Sequence, residues 1–110
     1  MTEPLFHIVA PAVWAPAVEV GRYEPPSLAE QGFVHFSWRH QVARTANLIY
    51  HDETDLIVVE FDPAGIPDPV VTEDLYDAGE EFPHVYAAVP TAAATAVHPL
   101  VRDDRGDWVF

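Results

Sequence analysis

The chain contains no cysteine and no lysine. Without cysteine there are no disulfides, thiolate nucleophiles or cysteine-based zinc sites. Its absence also suits a reducing cytoplasm, which is the expected location. Without lysine, five arginines face 18 acidic side chains, and the net charge is −13. Such a field repels nucleic acid, whose binding rests on Lys and Arg contacts to phosphate, so direct nucleic-acid binding is not expected. Glycine occurs five times and never as Gly-x-Gly, so a glycine-rich phosphate loop is excluded. No apolar run approaches the roughly 18 residues of a membrane span. The start, Met1-Thr2-Glu3-Pro4, lacks the basic-then-apolar pattern of a signal peptide. No membrane association is expected.

What is present describes a folded domain. Apolar residues make up 49% of 110 residues, enough for a core without staples, and residues 1–110 are read as one domain. Eleven prolines favour short elements and many turns. Residues 5–9 read as a strand. Pro11 suits a first helical turn, but Pro16 would fall in the interior, so that helix is expected to be short or broken. Residues 21–26 read as a loop and 33–36 as a second strand. Ser37 is a candidate N-cap for a helix over about 38–50, with Trp38, Val42, Ala46 and Ile49 at helical spacing and Tyr50 beside them. Arg39 and Arg44 fall on its outer side. Further strands are expected at 56–61, 84–88 and 95–100, with a weaker one at 70–72 and one helical turn at 91–94. Residues 101–110 read as an extension whose Trp108-Val109-Phe110 either folds back or forms a mobile tail. Helices and strands in this order give an α+β domain rather than a regular βαβ series.

Three histidines lie inside apolar runs: His7 in Leu5-Phe6-His7-Ile8-Val9, His35 in Phe33-Val34-His35-Phe36, and His84 in Phe82-Pro83-His84-Val85-Tyr86. A buried imidazole needs a hydrogen-bond partner or costs roughly 2–7 kcal/mol of desolvation. One such residue is usually a satisfied core histidine. Three, far apart in sequence, predict strands that converge on one polar pocket. His40 and His51 sit at the two ends of the expected helix, where exposure and the helix dipole account for them. His98 carries no functional signal. The acidic clusters read mainly as solvated surface. Zinc ligation by three histidines lacks any His-x-x-x-His spacing, and only His35-Phe36-Ser37 fits the paired motif of two-histidine phosphoesterases. A serine hydrolase would need a nucleophile elbow, which is absent.

The segments Phe6-His7-Ile8, Trp14, Gly21-x-Tyr23-x-Pro25-Pro26-Ser27-Leu28, Gly32-Phe33-Val34-His35-Phe36-Ser37 and Phe82-Pro83-His84-Val85-Tyr86 resemble the bacterial domain-of-unknown-function family numbered 952, over about residues 5–100. More distantly, the chain resembles the ADP-ribosyltransferase fold, a split β-sheet around an NAD cleft, found in poly(ADP-ribose) polymerases and RNA 2′-phosphotransferases. His7 matches the first-strand His of that fold. His35, followed by Ser37 and a helix, matches the second position. The third position, usually a Glu, is where the chain departs: the strand opens with His84, and Glu80 and Glu81 precede it.

The resemblance implies chemistry at the bond between nicotinamide and ribose, through an oxocarbenium-like state. It implies that His7, His35 and His84, with Glu81 as the nearest acid, form the catalytic group. Ser27, Ser37, Tyr23 and Tyr86 would lie at the cleft and bind ligand. Arg22, Arg39 and Arg44 are the candidates for a diphosphate. NAD would then be a substrate rather than a resident cofactor, and no metal is expected. The partner is a small molecule or nucleotide. Two functions stay open, an enzyme that cleaves or transfers at the nicotinamide ribose and a non-catalytic module that binds a small molecule in a degenerate cleft. They differ in whether an acid reaches the pocket beside His84.

Overall fold

The fold comes from a computed structural model in which residues 3–75, 77 and 79–110 are described. A Cα radius of gyration of 13.4 Å is that of one domain of this length. The chain forms β1 (Leu5–Val9), α1 (Pro11–Val20), β2 (Arg22–Tyr23), α2 (Pro26–Gln31) and β3 (Val34–His35). A 3-10 turn over Arg39–Gln41 leads into α3 (Val42–Ile49), followed by β4 (Ile57–Phe61), β5 (Val70–Glu73) and β6 (Phe82–Val85). Then come β7 (Val89–Pro90), a 3-10 turn over Thr91–Ala93, β8 (Ala94–Pro99), β9 (Val101–Arg102) and β10 (Trp108–Val109). The domain is mixed α and β, with several small sheets. No helix among the described residues is long and apolar enough to cross a membrane.

Two three-stranded antiparallel sheets organise it, in the orders β1-β4-β8 and β3-β6-β5. They touch at one bridge: Phe6 N donates to Ser37 O at 2.9 Å and Ser37 N donates to Phe6 O at 2.7 Å. β1 is buried along its whole length, so its two faces serve two cores. Leu5 and Val9 face Trp14, Tyr23, Phe36 and Phe61. Phe6 and Ile8 face Val42, Ala46, Leu56 and Trp108. His7 shares the parity of Leu5 and Val9, and its ring meets those of Tyr23 and Phe36 edge-on, at 5.0 and 5.6 Å between centroids.

Several elements differ from the sequence expectations. α1 runs for ten residues in spite of Pro16. Pro16 removes one i→i−4 donor, but Trp14 anchors the helix between Tyr23 and Phe61. The expected loop over 21–26 contains β2, and α2 follows it unpredicted. Gly21 and Gly32 end α1 and α2 with φ 86°, the left-handed conformation that glycine tolerates. The expected helix over 38–50 begins as a 3-10 turn and becomes α-helical only at Val42. Ser37 is therefore not its cap; it is the bridge residue to β1. The buried stripe is Val42, Thr45 and Ala46, Trp38 is half-buried, and Ile49 is 58% exposed. Ile49 shares the face of Val42 and Ala46, but as the last residue of α3 it lies past the packed part of that stripe.

The C-terminal residues fold back. β9 and β10 pair, and Trp108 is 4% exposed beneath α3. Asn47 holds the Trp108 backbone from both sides, accepting from N at 2.7 Å and donating to O at 3.0 Å. Trp108 Nε1 donates to Tyr50 O at 2.9 Å, and the Arg102 guanidinium lies 3.8 Å over the indole. Trp108→Ala is therefore expected to cost about 3–5 kcal/mol, the range for a large buried aromatic. Urea unfolding measures it, and a loss below about 1 kcal/mol would mean that the C-terminal hairpin lies outside the cooperative core.

Candidate functional site

Sheet register brings the three histidines together. His35 and His84 are cross-strand partners on β3 and β6, and Val71 on β5 is the other partner of His84. By the two-residue period of strands, Glu73 lies on the same face as Val71, and so beside His84. Glu73 Oε1 accepts from His84 Nδ1 at 2.9 Å and also from the Tyr86 hydroxyl. His84 Nε2 meets His35 Nδ1 at 3.2 Å. One line of hydrogen bonds thus crosses three strands, from Glu73 through His84 to His35.

β1 supplies the second line. His7 Nδ1 lies 2.7 Å from the His35 carbonyl oxygen, and His7 Nε2 lies 2.5 Å from the Tyr23 hydroxyl. A carbonyl only accepts, so Nδ1 carries the proton of His7, and in the neutral ring Nε2 accepts from Tyr23. Burial pushes the His7 pKa down to about 4, against a smaller upward pull from the bond to His35. Burial, then the nearby His84 and His7, push His35 down to about 3. Both rings are neutral at pH 7. Burial holds the Tyr23 phenol up, which keeps it protonated as a donor. Hydrogen bonds from Tyr86 and then His84 hold the Glu73 carboxyl below its usual range, so it is a carboxylate.

A cavity of about 190 Å³ opens where β1 meets the chain past β3. His7 and His35 line it with Phe6, Ile8 and Ser37, and with Ser27 and Gln31 from α2. Thr45 and Ile49 of α3, with Tyr50, close the other side. A second cavity of about 300 Å³ adjoins it along His7, Ile8, Ser27 and Tyr50, and adds Tyr23, Val13, Pro25, Pro26 and Glu53. The lining is apolar with hydroxyls, an amide and neutral imidazoles, the mixture usual for a small-molecule site.

The residues singled out in the sequence divide accordingly. His7, His35, Ser27, Ser37 and Tyr23 line these cavities. His84 does not; it is 0% exposed, stacked on Phe33 at 4.1 Å, and stands behind His35. Tyr86 touches Glu73 rather than the lining. Glu81 is exposed, and its backbone carbonyl accepts from Gln41 Nε2 at 2.9 Å. The acid beside His84 is Glu73, which sequence reasoning missed. Arg22 pairs with Glu24 at 3.0 Å, Arg39 covers the Phe6 and Phe110 rings, and Arg44 pairs with Glu80. None of the three lines either cavity. Gln31, Thr45 and Tyr50 were also missed, since only the packing of α2 against β3 and of α3 against β1 brings them to the cleft. Among the described residues, no three His, Asp or Glu side chains are grouped as metal ligands.

The chain belongs to the family DUF952, described as a protein of unknown function, whose pattern matches residues 8–97. The crystal structure of protein CC0527 from Caulobacter crescentus is similar, with a TM-score of 0.84 and 23% identity over 96% of this chain and 93% of that one. A solution NMR structure of CC0527 gives a TM-score of 0.73 at 23% identity, over 94% and 90%. At that identity the likeness shows the fold alone. Comparison with curated proteins gives no match.

The neutral histidines make stability depend on pH. The unfolded chain protonates His7 near its ordinary 6.5, and the folded chain only near 4. Between those values the unfolded state holds more protons, so stability is full above about 6.5 and falls as pH drops toward 4. From pH 7.5 to 5 the loss from His7 should be about 2 kcal/mol, with a similar loss from His35. Urea unfolding at both pH values measures it. In His7→Gln the loss should be roughly halved; an unchanged loss would mean that His7 is not held neutral.

Proposed function

We propose that the cleft takes the nicotinamide-ribose half of NAD or a related nucleotide and that the protein acts on it as a small enzyme of the ADP-ribosyltransferase type, by cleavage or transfer at that ribose. The observation that carries this reading is the convergence of His7 and His35, from two sheets, on a cavity rimmed by Ser27, Ser37 and Tyr23. Two sheets that meet at one bridge, with the cleft beside it, support the split-sheet resemblance.

Each group has a part in this chemistry. An imidazole held near 3 is a poor base at pH 7, so His35 takes no proton in this reading; its ring shapes the lining beside the ribose. His7 has both nitrogens engaged and holds Tyr23 and the β3 backbone in place. When the glycosidic bond breaks, its electron pair leaves with nicotinamide and positive charge develops on the ribose. Glu73 is the acid on the His84 side of the cleft; its charge acts through two rings rather than by contact. That differs from an acid that bonds the ribose directly, and it predicts slow turnover.

The absence of basic side chains from the described lining favours a second reading, a non-catalytic module for a small neutral ligand. With Arg22, Arg39 and Arg44 directed elsewhere, a diphosphate would lean on backbone N–H groups alone. Calorimetry with NAD, ADP-ribose and nicotinamide riboside separates the two readings. On the nucleotide reading NAD binds more tightly than ADP-ribose. His35→Ala, which removes a ring from the lining, weakens NAD binding. Affinity rises with salt as repulsion from the −13 charge is screened. No binding at millimolar NAD, at low and at physiological salt, would reject it. Binding of the riboside without NAD would leave the neutral-ligand module.

A further inference from the structure

The cavity of about 300 Å³ has a carboxylate on its lining and no cation to answer it. Among the described residues, Glu53 is the charged member of that lining, since His7 is neutral and no arginine takes part. Glu53 is exposed, and its carboxylate has no hydrogen bond or ion pair among the described residues. Arg102 reaches the same turn but is committed elsewhere. It donates to the backbone carbonyls of His51 and Glu53, and its guanidinium lies over the Trp108 ring.

Tyr50 stands beside Glu53 and lines both cavities. The turn holds the pair in place. Tyr50 O accepts from Glu53 N at 3.0 Å and from Trp108 Nε1 at 2.9 Å, and Tyr50 N donates to Ala46 O at 2.8 Å. Burial, and then the charge of Glu53, push the Tyr50 phenol up, so the ring is neutral and feels that carboxylate. A neutral aromatic ring attracts cations to its face. The rest of the wall is mainly apolar, with Val13, Pro25, Pro26 and Leu56, and Val13 and Pro26 are exposed at its rim. A strongly hydrated ion loses its water against such a wall. An organic cation without N–H groups keeps its charge and still fits apolar contacts.

We propose that this cavity is a site for a small organic cation such as a pyridinium, received by the Glu53 carboxylate and the Tyr50 ring. The proposal goes beyond the nucleotide reading and stands without it, although the oxidised nicotinamide ring is one such cation.

Titration of the full chain with 1-methylnicotinamide and with 3-methylbenzamide, its neutral isostere, tests it. Amide ¹H–¹⁵N spectra give both the affinity and the place of binding. The cation should bind more tightly by roughly fivefold, with shifts around Tyr50 and Glu53, and its affinity should fall with added salt. Glu53→Gln should bring the cation down to the affinity of the neutral compound and leave the neutral compound unchanged. Asp52→Asn removes the adjacent charge, which is not on the lining, and should keep the preference. Equal affinities in the wild type would overturn the proposal, as would no binding of the cation at millimolar concentration. So would a preference that survives Glu53→Gln, or one that Asp52→Asn abolishes equally, since the overall charge would then be its source. Binding of 1-methylnicotinamide without NAD leaves the cation site and removes the nucleotide reading. Binding of NAD with no preference for the cation does the reverse.

Discussion

The two hydrogen bonds between Phe6 and Ser37 are the contact on which the site depends. They are the point where the sheet of β1 meets the sheet of β3. From that bridge, one step along β1 gives His7 and two steps back from Ser37 give His35. The bond from His7 to the His35 carbonyl, at 2.7 Å, follows from that spacing. Ser37 cannot be at once the bridge and a helix cap. The chain resolves this by starting the helix later, at Val42, and the Trp38 N–H is satisfied instead by Gln41 Oε1 at 2.9 Å.

Burial is the second constraint. Three imidazoles in apolar surroundings need hydrogen-bond partners, and the two lines of bonds supply them differently. His7 uses a carbonyl and a phenol. His84 uses a carboxylate, itself held low by two donors. The cost is a fold that weakens as pH falls below 6.5. The return is a set of rings with fixed orientation at the edge of a cavity, which is what a site with no arginine on its described lining has available for recognition.

Much of this was legible in the sequence, for identifiable reasons. The apolar runs around His7, His35 and His84 predicted strands, and their desolvation cost predicted convergence. The strand at 57–61 and the turn at 91–93 were readable from their punctuation. What could not be read was register. Glu73 sits in an acidic run that looks like solvated surface, and only the pairing of Val71 with His84 turns it inward. Glu81, closer to His84 in sequence, points to solvent on the connection before β6. The helix start was the other loss: the 3-10 turn at Arg39–Gln41 has no distinct sequence pattern, so Ser37 was read as a cap, and Ile49, at the far end of the buried stripe, was read as core. The arginines were read by sequence proximity to the cleft, whereas each is committed to a neighbour that only tertiary structure supplies.

The most direct test of the buried-histidine site is an NMR titration that follows the ring Cε1 protons of His7 and His35 from about pH 8 to about 5. Both signals should stay flat over that range, because burial holds their pKa values at about 4 and about 3. A midpoint near 6.5 for either ring would mean that it sits in water, outside the hydrogen-bonded lines, and would contradict the site described above.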